Sequence, residues 1–313
     1  MIPGMRVAKR TKEEIAEAKA ALNESFLRFK SVGQIAADTE FCYTVSELVR
    51  QIAIDEFALT DPTPYFVNRA SAALGQTLEI EEVINTMKAI RRHPGGHPLA
   101  FTPTKRKFPI TTKQYDLPFA MDLEKILRRQ IDPSVFAEHA AQALSRVVVS
   151  TVLGAIDASS TGVDHYGRNI AATKSGDIDA TTLDGVLRSL GDVNSDTFIA
   201  ARYFALFPIL GFTGYSPNII DTIYNTGMIG KYKGANIVIL KDDFNFYFNT
   251  ATIGANKIYI GGGDKGAWLH ERDVSALNYQ SMDPERAWLK NGFRVDFGVN
   301  VLQPWKYRTI TLT

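Results

Sequence analysis

Between Thr11 and Lys30 apolar residues recur every three to four positions, at Ile15, Ala18, Leu22, Phe26 and Phe29. That is the period of a helix with one apolar face. Thr11 is a suitable N-cap, and Glu13 and Glu14 fall in the first turn, where the helix dipole favours anions. Such a helix either packs on the core of its own chain or docks as an arm on another subunit. A second helical stretch is predicted from Thr44 to Leu59. The clearest pattern runs from Asp132 to Asp157, with Asp132 as N-cap and Pro133 at the first helical position. Phe136, Ala140, Leu144, Val148, Val152 and Ile156 form an unbroken i, i+4 stripe with no proline inside it. About 25 residues at a rise of about 1.5 Å predict a helix of roughly 37 Å. That is about twice the usual length, so an elongated molecule is expected.

Elsewhere the pattern is mixed. The sequence DPTP at 61–64 breaks the chain after the second helix. Pro94, Gly95, Gly96, Pro98, Pro103 and Pro109 exclude helix beyond about residue 92, and the chain returns as strand through FPITTKQYDLPFAMD. An excursion this long is usually functional. A helix is predicted around Thr182–Leu190. DTFIAARYFALFPILG reads as a buried strand followed by a short helix, and residues 218–224 as helical. TGMIGKYKG reads as a turn and ANIVILKDDF as a strand. NKIYIGGGDKGAWLHERD suggests two strands joined by a glycine hairpin or bulge turn. The C-terminal 27 residues alternate as two strands, with Asn291-Gly292 as a turn signal.

Composition narrows the function classes. The 35 Lys+Arg and 34 Asp+Glu residues nearly cancel, whereas a dedicated nucleic-acid binder is usually more basic. A single cysteine, Cys42, excludes an intrachain disulfide framework and a cysteine zinc cluster. It fits a reducing compartment and reads as a small buried hydrophobe. The N-terminal residues lack the apolar core of a secretory signal. The longest apolar run, Tyr203–Phe212, is too short for the roughly 20 residues of a membrane span. Charge is unevenly distributed. Residues 38–61 carry six acids against one base, and residues 88–113 carry seven bases and no acid.

Catalytic chemistry is hard to find. GGGDKG at 261–266 lacks the spacing of a phosphate loop, because Gly follows Lys265. Gly261, Gly263 and Gly266 meet the dinucleotide pattern only formally, with no long helix after them. His93 and His97 flank a kinked loop without a carboxylate. His139, His165 and His270 have no partner that the sequence places. The hydrolase G-x-S-x-G elbow is absent. No catalytic residue, metal ligand or cofactor is expected, and binding or structure is the favoured class.

Four segments carry a resemblance. Residues 114–157 resemble the strand and spine helix that follow the extended loop in the major capsid protein of tailed bacteriophages, the Hong Kong-97 type fold. Residues 224–244 resemble its axial-domain segment of spaced glycines and a strand. Residues 257–273 resemble its late strand pair, and RAWLKNGFRVDFGVNVLQPWKYRTITL its closing strands. The resemblance covers roughly 60–313 and implies an α+β capsid-type fold with an N-terminal helical arm, an extended loop, a long spine helix, a peripheral β-sheet and an axial domain. The implied divisions are 1–60 for the arm, 61–118 for the extended loop, 119–165 for the peripheral domain with the spine helix, 166–250 for the axial domain, and 251–313 for strands completing both.

It also implies a non-enzymatic shell protein. Hexamers and pentamers would form a homo-oligomer that encloses double-stranded DNA in a virion capsid, assembled in the host cytoplasm. A portal would serve it, with or without a scaffold or cement protein. DNA would be met nonspecifically, residues 1–35 with their net charge of +3 being one face for it. No membrane is implied. The consecutive Lys105, Arg106 and Lys107 alternate faces in a strand. With Lys113 they are candidate inter-subunit contacts, and Asp55 and Glu56 in the acidic segment are candidate complements. An encapsulin-like compartment loaded with enzyme cargo stays open as an alternative, as does an enzyme whose site is assembled from scattered residues.

Overall fold

The computed structural model describes residues 10–72, 79–84, 104–164, 166–191, 196–212, 230–240, 254, 256–272, 279–283 and 287–313. Helix α1 (Lys12–Ser25) begins at the Thr11 cap with a reciprocal capping box, Glu14 N–H donating to the Thr11 hydroxyl and Thr11 N–H to the Glu14 carboxylate. A 3-10 turn, Phe26–Arg28, ends it, and the short α2 (Val32–Ala37) follows. Helix α3 (Thr39–Thr60) starts five residues earlier than the apolar pattern suggested, because the Asp38 carboxylate caps it by accepting from Phe41 N–H at 2.8 Å.

Helix α4 (Leu123–Leu127) precedes the long helix α5 (Ser134–Ser159). The predicted stripe of α5 is buried from Ala140 onward, joined by a second row of Ala137, Ala141, Val149 and Leu153. Its cap differs from expectation. Asp132 makes no side-chain cap bond. Instead Asn23 of α1 accepts from Ser134 N–H at 3.1 Å and donates to the Ser134 hydroxyl at 3.3 Å. A residue 111 positions away thus satisfies a free amide of the first turn. By length and composition α5, and not the Tyr203–Phe212 run, is apolar enough to cross a membrane. Here its apolar rows lie in two protein cores.

Five strands form the first sheet: β1 (Val67–Ala72), β4 (Lys113–Asp122), β10 (Ala267–Arg272), β11 (Tyr279–Asp283) and β12 (Trp288–Val301). Strand β12 organises it. One edge pairs antiparallel with β11 and then β10, the other with β4, while β1 pairs parallel to β10. The second sheet runs β5 (Ala171–Lys174), β13 (Tyr307–Leu312), β9 (Lys257–Gly261), β6 (Phe198–Ala201), β8 (Ala235–Ile239) and β7 (Lys231–Tyr232). A small ribbon pairs β2 (Glu79–Ile84) with β3 (Thr104–Pro109). Helix α6 (Ala180–Gly191) and the one-turn α7 (Tyr203–Leu206) lie beside the second sheet.

Two turn expectations fail for one reason. Asn291-Gly292 is not a turn but lies inside β12, opposite Phe119 and Pro118 on one edge and Gln280 and Tyr279 on the other. The Asn291 side chain is buried, and its Oδ1 accepts from the Ser46 hydroxyl of α3 at 2.6 Å. Pairing on both edges outweighs the local turn preference. Pro118 is tolerated because β4 is an edge strand. Residues 262–266 do not close a hairpin either. They carry the chain from β9 in the second sheet to β10 in the first. Gly266 is needed for close approach, since a Cβ there would collide with the Gln303 carbonyl. Its N–H donates to Tyr307 Oη at 2.9 Å, and Tyr307 in turn donates to Phe66 O at 2.5 Å.

The cores follow from this layout. The largest lies between α5 and the two sheets. It takes Leu269, Phe297 and Ala267 from the first sheet and Phe198, Ala200, Tyr259 and Tyr307 from the second. Strand β6 is buried on both faces, so Ile199 and Ala201 join a separate core with α6. A third core unites α1, α2, α3 and α4 with Met121, Leu289 and Ala137. The amphipathic α1 therefore packs on its own chain. Cys42 is buried there, its thiol pushed up by burial first and Asp38 second. Residues 218–224 and part of TGMIGKYKG lie outside the described residues. The rest of that segment forms a tight β7–β8 hairpin, with positive φ at Lys233 and Gly234.

One buried ion pair fastens the loop after α5 to β13 of the second sheet. Arg308 donates to Asp164 Oδ2 at 2.6 Å, and Asp164 also accepts from the Arg168 and Tyr166 amides, each at 2.9 Å. Burial pushes this carboxyl up, but the two amides and the Arg168 side chain outweigh it and hold the group at about 2. The stability it adds is therefore complete above about pH 4 and is lost as pH falls through about 2. Asp164→Asn is expected to flatten that part of the acid profile and to destabilise the protein at neutral pH, because Arg308 stays buried without its counter-charge. Urea titrations at several pH values check both. The same measurement should show Asn23→Ala losing about 0.5–2 kcal/mol as the cap of α5 is removed, with Asp132→Ala losing less.

Candidate inter-subunit surfaces

The ribbon of β2 and β3 holds the predicted basic run. Lys107 stands opposite Glu81, Arg106 opposite Glu82 and Lys105 opposite Val83. Register thus sets Glu81 and Glu82 of the same chain across the ribbon from the bases, which charge runs alone did not reveal. Lys107 Nζ lies 3.0 Å from Glu79 Oε2, and both side chains are largely exposed. Such a pair contributes about 0.2–1 kcal/mol. Lys105 and Arg106 are exposed too. Among the described residues β2 and β3 pair only with each other. The ribbon meets the body at its root, where Ile80 and Ile110 pack with Trp268 and Leu302. A two-stranded ribbon is marginal in water by itself, so its unpaired edges invite a further contact. Lys113, the first residue of β4, is also exposed.

Asp55 and Glu56 are engaged elsewhere. Asp55 is buried on α3, with Arg10 Nε at 3.8 Å. Glu56 accepts from Lys19 Nζ at 3.2 Å, and Lys19 also donates to Glu138 of α5 at 2.7 Å. Burial pulls the Lys19 ammonium down, but the two carboxylates outweigh it and raise it. The structure therefore does not bring Asp55 or Glu56 to the basic ribbon. Both serve the packing of α1 on α3 and α5.

An aromatic ledge is the feature the sequence reading missed. Tyr203, Phe204 and Phe207 project from α7 and the turn after it. Phe204 is 75% exposed, against full burial of the preceding β6. The Tyr203 and Phe207 rings lie 5.9 Å apart. The signal was the aromatic density of YFALF, which the reading as a short helix after a buried strand did not use.

Nearby clefts offer shape more than chemistry. One of about 310 Å³ lies between the end of α1 and the α4–α5 junction, lined by Phe26, Leu27, Phe29, Ile126 and Ile131. Another of about 340 Å³ holds Asp184, Arg188 and Lys233, but Asp184 already pairs with Lys233 and accepts from Tyr232 Oη at 2.9 Å. Of the histidines, His139 is exposed and His270 buried, while His93, His97 and His165 lie outside the described residues.

Residues 7–267 match the model of a family described as "SPbeta prophage-derived putative capsid protein YonB". The chain belongs to this capsid-protein family. No curated protein matches it. Solved phage particles share its fold. The capsid of a native GTA particle superposes with a TM-score of 0.57 at 12% identity, covering 80% of this chain and 89% of that one. Gordonia phage Cozz gives 0.55 at 16%, covering 80% and 85%. The mature capsid of bacteriophage PhiM1 gives 0.54 at 13%, covering 81% and 87%. The α+β capsid-type fold is therefore the fold of this protein. Family membership makes it a structural, non-enzymatic component of a virion capsid, and it disfavours the encapsulin-like and enzyme alternatives.

For this capsid protein, Lys19 is a test of where the acidic segment acts. Lys19→Ala leaves Glu56 and Glu138 facing each other and is expected to cost on the order of 1 kcal/mol in the unassembled chain. Chemical denaturation measures it. An unchanged midpoint would show that Glu56 does not depend on its in-chain partner.

Proposed function

We propose that this capsid protein assembles in the host cytoplasm as hexamers and pentamers into an icosahedral shell around double-stranded DNA. A portal serves it, with a scaffold or cement protein where one is used. Helix α5 and the five-stranded sheet act as the peripheral domain, the second sheet with α6 as the axial domain, and residues 61–118 as the extended loop over a neighbouring subunit. The observation that carries this reading is the β2–β3 ribbon. It is charged, exposes Glu79 and Lys105–Lys107 and, among the described residues, packs on the body at its root, which suits a limb completed by another copy. Residues 10–60 remain part of the subunit in this reading, since removing them would expose Met121, Leu123, Ile126 and Leu289. DNA is met without sequence preference, by phosphate contacts that weaken with salt.

Lys105→Glu with Lys107→Glu should leave folding intact by circular dichroism. It should block or slow shell formation by electron microscopy, more at low salt than at high salt, since like charges meet at the interface. The charge swap Glu79→Lys with Lys107→Glu separates two causes. It restores the pair within the ribbon but not a complement on a neighbour. Continued failure to assemble supports an inter-subunit role for Lys107. Normal shells from the swap would limit Lys107 to holding its own ribbon together.

A further inference from the structure

His270 is a buried polar group of the first sheet set beside the root of the ribbon. It is 5% exposed, and neither ring nitrogen has a hydrogen-bond partner. Buried polar groups in folded proteins are nearly always paired, so an unpaired imidazole calls for a reason. Its position supplies one. In β10 it stands in register between Ala70 of β1 and Gly298 of β12. Ala70 and Gly298 leave little side chain beside it on that face. The segment Ile110–Thr111, which joins the ribbon to β4, lies directly over Gly298. A Cβ there would collide with the Thr111 carbonyl and come within 3.1 Å of Ile110 Cγ2. Two residues along β10 on the same face, Trp268 packs against Ile80 and Ile110 at the ribbon root. The imidazole is thus buried beside the joint that attaches the excursion to the body.

We propose that His270 is a proton-sensitive seat for this joint: neutral, it lets Ile110–Thr111 lie flat on the sheet, and protonated, it lifts the joint and frees the ribbon. Burial lowers the proton affinity of the imidazole. When the joint opens, the imidazole meets water and regains its ordinary affinity, so acid favours the open form. The charged residues on this face include Arg294 of β12, which is paired with Asp116 of β4. Strand β12 places Asp296 there, in register with Arg272 of β10. Strand β1 contributes Asn68 and Ala70, and the joint contributes Ile110 and Thr111, all uncharged. Glu79 and Lys107 pair on the ribbon face opposite to Ile80. The inference concerns one chain and stands apart from the shell reading.

The test uses the full, unassembled chain. Magnetic resonance should show the His270 ring titrating below the ordinary value of about 6.5. Titration at or above that value would mean that a neighbouring carboxylate stabilises the cation, and would overturn the seat. Amide exchange across residues 104–112, corrected for intrinsic rates, should lose about tenfold protection between roughly pH 7.5 and pH 5 in the natural chain. His270→Phe, or His270→Gln if the first variant folds poorly, should remove that loss. Equal loss in the non-titrating variant, or none in the natural chain, would refute the proposal.

Discussion

The architecture depends on keeping one long apolar helix dry. At 26 residues α5 is about 39 Å long, whereas a typical strand spans only about 17–20 Å. No single sheet face of ordinary size covers it. The chain covers it in sections. The N-terminal helices α1 and α3 take its first turns, and the two sheets take the rest. Burying a single large apolar side chain is worth about 1.5–3 kcal/mol, so exposing even two turns of α5 would cost more than most domains can spare. This is why residues 10–60 form part of the core in place of a loose arm, and why a cap for α5 comes from Asn23.

Much of the helical layer was legible in the sequence because helices carry their signals locally. The Thr11–Glu14 box, the α5 stripe and the breaks at Pro62 and Pro64 are each complete within a few residues. What failed was decided by distant partners. Asp132 looks like a cap, but Asn23 gets there first. Asn291-Gly292 looks like a turn, but β4, β11 and Ser46 hold it straight. The glycines at 261–266 look like a hairpin, but β9 and β10 belong to different sheets. In each case a reasonable local preference of about 1 kcal/mol or less is outweighed by several tertiary bonds.

The candidate surface was legible only in part, and charge explains the difference. A run such as Lys105–Lys107 is visible in any listing of residues, whereas its counter-charge is set by register. Glu79, Glu81 and Glu82 stand 23 to 28 residues before the lysines and were not matched with them. The acids that did attract notice, Asp55 and Glu56, lie on a helix whose neighbours carry Arg10 and Lys19. Net charge over a window identifies polarity, but only the fold decides which charges meet.

The two faces of the first sheet divide stability from adaptability. One face presents Leu269, Phe297, Tyr115 and Leu117 to the core. The other carries Trp268, His270, Asn300 and the exposed Arg294–Asp116 pair. The excursion is attached to this second, more polar face through a small cluster around Ile80 and Ile110. Local stability scales with the apolar contacts an element makes, so the joint is weaker than the core by construction. A ribbon hinged there can change its angle to the body while α5 and its cores stay packed. The rigid part fixes the subunit's shape, and the more weakly seated ribbon is the element left to adapt.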